Sequence, residues 1–106
     1  MAVYGYVRTA RGSPLNEEIQ QWHIEHWAAT HGETIAETFA DLAASGLSEP
    51  EGRPGFSFLL AQLQPSDKLV VFDFDRLSRD CNELALLLNQ LKDMAVPVCV
   101  ASSEDV

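Results

Sequence analysis

Arg8, Arg53, Arg76 and Arg79 are four of only five arginines in a chain with 16 acidic and 7 basic residues and a net charge of -9. A guanidinium is permanently charged and presents a planar fork of donors, which suits phosphate oxygens and charge developing in a transition state. The densest group is Asp75-Arg76-Leu77-Ser78-Arg79, directly after the apolar run Leu69 to Phe72. Two guanidinium groups and a carboxylate therefore crowd one predicted strand end. Such a cluster can hold an anion, but it needs a separate nucleophile.

The elements that must position these residues follow from apolar periodicity. Ala2 to Val7 reads as a strand. Ser13 then offers an N-cap with Pro14 at the first helical position, and Leu15, Ile19, Trp22 and either Trp27 or Ala28 supply the apolar spacing of a helix that Gly32 ends. Thr34 to Phe39 is a second strand. The stretch Asp41 to Arg53, with Gly46, Pro50 and Gly52, reads as a long loop of the kind that is usually functional. Pro54 opens a second helix, Gly55 to Leu63, and Pro65-Ser66-Asp67 turns the chain into a third strand, Lys68 to Phe72. That strand is continuously apolar, as in parallel sheets covered on both faces. A helix over Asn82 to Met94, with Leu84, Leu87, Leu88 and Leu91 on one side, and a strand over Pro97 to Val100 complete the order. Alternating strands and helices predict a single α/β domain over residues 1–106: a three-layer α/β/α sandwich whose mainly parallel sheet has four or five strands.

Ligands of open parallel sheets bind beyond the carboxyl ends of the strands. Arg8 follows the first strand, Ser45 and Arg53 the second, and Asp75, Arg76 and Arg79 the third, so one edge collects all four arginines. Taken singly, each arginine could equally be an ordinary partner of Asp73, Asp75, Asp80 or Glu51. Four on one edge point to a shared anion.

Composition narrows the function further. The acidic balance excludes a surface that coats nucleic acid, so a nucleic-acid partner must be met by a small focused patch or by other parts of a longer protein. No run of about 18 apolar residues and no leader peptide is visible, so the expectation is a cytoplasmic protein without a membrane span. Cys81 and Cys99 have neither metal nor disulfide spacing. His23 and His26 lack a third ligand and read as a solvated helix face, and no glycine-rich phosphate loop follows the first strand. No metal and no cofactor are expected.

Tyr6-Val7-Arg8, Gln20, Ala44-Ser45-Gly46, Arg53-Pro54-Gly55, Asp67 and Asp75-Arg76-Leu77-Ser78-Arg79 together resemble the catalytic domain of serine site-specific recombinases, the resolvase and invertase group. The resemblance runs over essentially the whole chain, with Ser78 in place of the family's usual glycine. It implies metal-free phosphoryl transfer on DNA through a 5'-phosphoserine intermediate. Carried over by position, it implies that Arg8, Arg76 and Arg79 bind the scissile phosphate, with Ser45 and Arg53 assisting. Asp75 would orient the arginines or move a proton, and Gln20 and Asp67 would support the site. The family's nucleophilic serine falls on Ala10, which is explained by engineering, by natural loss or by a nucleophile displaced to Thr9 or Ser13; the chain as written is expected to be inactive. Thr9 faces the other way on an extended chain, and Ser13 is the predicted cap. The implied partners are a DNA recombination site and other recombinase subunits. The family's dimerisation helix and DNA-binding domain are not among these residues. The ending Ser103-Glu104-Asp105-Val106 reads as a cut, and the fragment is expected to be monomeric or weakly associating and to bind DNA poorly alone.

Overall fold

The computed structural model describes residues 2–9, 16–42 and 54–102. Among the described residues four strands and three helices alternate: β1 (Val3–Arg8), α1 (Glu17–Thr30), β2 (Ile35–Asp41), α2 (Pro54–Gln62), β3 (Lys68–Val71), α3 (Cys81–Asp93) and β4 (Val98–Val100). A short 3-10 turn over Phe74–Arg76 follows β3. All pairings are parallel, and the sheet order is β2-β1-β3-β4.

The two faces of the sheet bury separate cores. Tyr6, Leu69 and Val71 face α2 and α3, packing with Phe56, Leu59, Leu87 and Leu91. Val3, Val7 and Val70 face α1 and pack with Ile24, Trp27 and Ala28. This alternation of odd and even positions along β1 and β3 is the period-two signature of a strand covered on both sides. Gly5 lies where α1 crosses β1. A β-carbon there would stand 3.1 Å from Ile24 Cγ2, so the missing side chain lets the helix sit close.

Several boundaries differ from those expected. Asn16 caps α1, accepting from the Ile19 N–H at 2.9 Å, and Glu17 and Glu18 fill the first turn, where a negative charge complements the helix dipole. Ser13 and Pro14 lie outside the described residues. The buried face of α1 is Gln20, Ile24, Trp27 and Ala28, while Ile19 and Trp22 are exposed. The apolar stripe read from sequence was thus displaced, because a polar residue, Gln20, holds a core-facing slot. β2 runs on to Asp41, two residues past its expected end.

Candidate functional site

Arg8 is the last residue of β1, and Arg76 closes the 3-10 turn beyond β3. β1 and β3 are neighbours. The chain leaves β1 toward β2 on one side and leaves β3 toward β4 on the other, which makes their carboxyl ends the switch point where open α/β sheets form a crevice. Both arginines are buried, Arg8 at 1% and Arg76 at 9% exposure.

The two side chains interlock. Arg8 Nε donates to the carbonyl of Arg76 at 3.2 Å and its Nη2 to the carbonyl of Asp75 at 2.5 Å. In return, Arg76 Nη1 donates to the carbonyl of Arg8 at 2.7 Å, and Arg76 Nε pairs with Asp73 Oδ1 at 3.1 Å. Carbonyls satisfy the donors of a buried guanidinium and fix its orientation. Ordinary ion pairing, the alternative weighed for each arginine, holds for Arg76 with Asp73.

Gln20 braces the same strand end. Its Nε2 donates to the Arg8 carbonyl at 2.9 Å, and its Oε1 accepts from the Arg8 N–H at 3.3 Å. The side-chain amide therefore acts as a short extra strand beside Arg8, satisfying both of its backbone groups. Gln20 is fully buried, and this role explains a polar residue on the core face of α1.

Asp75 joins the cluster by its backbone. Its carbonyl takes Arg8, while its side chain is exposed and makes no hydrogen bond among the described residues. Arg79 is exposed at the rim. Between them, Ser78 is buried, and its hydroxyl accepts from the Asp80 N–H at 3.1 Å. Its backbone is not left-handed, so no glycine is required there. Asp80 caps α3 through the N–H groups of Asn82 and Glu83.

Asp67 lies elsewhere. It precedes β3, at the amino ends of the strands, and its carboxylate accepts from the N–H groups of Ala2 and Gln64, each at 2.9 Å. It fastens the start of β1 to the turn before β3, and the length of the sheet separates it from Arg8 and Arg76. The Ala2 N–H, seconded by that of Gln64, holds its carboxyl below the ordinary value against the opposing effect of burial. Ala10, Ser45 and Arg53 lie outside the described residues.

Asp41 is the residue that sequence reading missed. Buried at the end of β2, its carboxylate accepts from Tyr6 Oη at 2.7 Å and from the N–H groups of Gly55 and Phe56 at 2.8 and 3.0 Å. It thereby caps α2 from a neighbouring strand. Its own carbonyl accepts from the Thr9 N–H at 3.2 Å, extending the β1–β2 pairing one residue past Arg8. At Gly55 a β-carbon would lie 2.3 Å from the Ala40 carbonyl oxygen, so only glycine lets the helix start meet the strand. Asp41 and the helix start at Pro54-Gly55 are separated by more than ten residues, so no local pattern in the sequence signals their contact.

Among the described residues no group of His, Cys, Asp and Glu could hold a metal ion. His23 is half-buried, edge-on to Phe72 at 5.0 Å, whereas His26 is exposed.

A parallel α/β sheet with paired arginines at its switch point belongs to the doubly wound class of domains. The sequence model of the family "Resolvase, N terminal domain" matches residues 3–106, and the chain belongs to that family. Solved structures share the fold. The N-terminal catalytic domain of TP901-1 integrase superposes with a TM-score of 0.83 at 18% identity, over 97% of this chain and 79% of that one. The C-terminal catalytic domain of ISC1926 TnpA, an IS607-like serine recombinase, gives 0.75 at 21%, over 95% and 70%. The first open reading frame of transposon ISC1904 from Sulfolobus solfataricus P2 gives 0.73 at 20%, over 94% and 66%. No curated protein matches the sequence closely enough to add a relative.

Proposed function

We propose that this chain is the catalytic domain of a site-specific DNA recombinase, with its chemistry silenced at position 10. The reading is carried by the reciprocal Arg8–Arg76 frame at the switch point, two residues upstream of Ala10. In an active domain a serine hydroxyl at position 10 attacks a DNA phosphodiester. An Oγ–P bond forms, the P–O3' bond breaks, and the 3'-oxygen leaves with a proton; reversal rejoins the exchanged ends. Arg8, Arg76 and the exposed Arg79 offset the charge gathering on the non-bridging oxygens, as a divalent cation would. Gln20 keeps Arg8 in place, Asp75 serves proton transfer or orientation, and Ser45 and Arg53 assist from the segment that precedes α2 in sequence. A methyl group has no lone pair with which to attack phosphorus, so the unaltered chain does not cut DNA.

The test is Ala10→Ser in the complete protein with the recombination site of its own element. The expected outcome is a covalent protein–DNA adduct from the variant only, and the same adduct when Ser13→Ala is combined with Ala10→Ser. An adduct formed by the unaltered chain and abolished by Ser13→Ala would place the nucleophile at Ser13 instead. Ala10 itself favours a second reading, a recombinase-like module that binds DNA phosphate or assembles with active subunits. A folded Ala10→Ser protein that still fails to cleave supports that reading.

A further inference from the structure

The outward side of α1 carries an aromatic patch that the phosphate site does not use. Trp22 is 58% exposed and Ile19, one turn before it, 41%. The Trp22 ring lies flat on His26, with centroids 4.9 Å apart and planes 6° from parallel, and edge-on to His23 at 5.0 Å. His23 in turn sits edge-on to Phe72 at the end of β3. The indole is thus held in place from two sides while most of its surface faces solvent, an arrangement that burial of α1 against the sheet does not require.

Charge decides what this surface can meet. Glu18 and Glu25 lie one helical turn before and after Trp22 on the same side, and both are exposed. An aromatic face flanked by two carboxylates attracts a guanidinium or ammonium group, by ring quadrupole and by charge together. A phosphate backbone would be repelled by the same glutamates, in a chain already carrying -9. We infer that the Ile19–Trp22–His26 face of α1 is a docking surface for an arginine- or lysine-bearing segment of a protein partner. It stands apart from the catalytic reading and would hold whether or not the domain cleaves DNA.

The two tryptophans make the test site-resolved, because Trp27 is buried against His31 and serves as internal reference. The probe is an alanine-rich helical peptide with arginines at four-residue spacing, titrated into the isotope-labelled chain while both indole N–H signals are followed. Binding should move the Trp22 signal and leave that of Trp27 in place. Trp22→Ala, read from the backbone amide signals of Ile19 and Glu25, should weaken binding about tenfold, within the range of a partly desolvated cation–π contact. Glu18→Gln with Glu25→Gln should weaken it several-fold more than Glu37→Gln with Asp93→Asn, an equal change of charge at two other exposed sites. Equal losses from the two pairs, or full affinity in Trp22→Ala, would overturn the proposal. So would a single-stranded DNA oligonucleotide that shifts Trp22 where the peptide does not, since that would make the patch a base-stacking platform.

Discussion

Burying two guanidinium groups side by side is costly unless each donor is satisfied and an opposite charge is near. Arg8 and Arg76 meet the first need largely with backbone carbonyls, and Asp73 beside Arg76 meets the second. Asp67 shows the contrasting case, a buried carboxylate whose work is structural. Because its folded carboxyl sits below the ordinary value, it contributes stability above the unfolded value of about 3.9, and that contribution is lost as the pH falls through the folded value. Asp67→Asn keeps one acceptor and loses the other with the charge. It should therefore cost about 1–3 kcal/mol at neutral pH, with the gap from the parent closing below about pH 4. Urea unfolding from pH 7 to pH 3 measures both, and a gap independent of pH would remove the carboxylate from the account.

Helix ends show how elements of this fold are stopped and aimed. α1 and α3 finish in the same way. Glu33 N–H bonds the Ala28 carbonyl at 2.8 Å and Val96 N–H bonds the Leu91 carbonyl at 2.9 Å, each after a left-handed residue. In α1 that residue is Gly32, at φ 68°; in α3 it is Ala95, at φ 61°. Alanine pays a steric penalty in that region that glycine does not. Ala95→Gly should accordingly stabilise the domain by about 0.5–1 kcal/mol after the added freedom of the unfolded chain is counted. Gly32→Ala should destabilise it. Thermal melts of the two variants check the pair, and a loss of stability in Ala95→Gly would show that its φ carries no strain.

Over the whole molecule, net charge opposes DNA binding except where the arginines collect. On the proposed function, in which Arg8, Arg76 and Arg79 each meet a phosphate, the chain should bind duplex DNA weakly. Log affinity should fall against log salt with a slope no steeper than about -3, near -0.9 per phosphate contacted. Fluorescence anisotropy at a series of salt concentrations gives the slope, and a markedly steeper value would reveal a wider basic surface. No helix among the described residues is long and apolar enough to cross a membrane.

Local pattern determined much of this. The continuous apolar run of β3, the alternation of strands and helices, Gly32 as a stop and the gathering of arginines after strands were legible because each rests on neighbours in the chain. The resemblance to serine recombinases was legible too, in the spacing of short motifs. Partnerships across 12 to 68 residues were not legible. Gln20 bracing Arg8, Arg8 and Arg76 exchanging carbonyl bonds, and Asp41 capping α2 while holding Tyr6 all depend on strand order, which brings the ends of β1, β2 and β3 together. Polar residues carry these links, and a hydrophobic pattern is blind to them. For the same reason Asp67, grouped with the arginines by motif, proved to lie at the opposite end of the strands. Sequence determined that arginines follow the first and third strands and that alanine stands two residues beyond Arg8. Tertiary structure alone decided which arginines meet, because a buried cation takes its place from the carbonyls that fold around it.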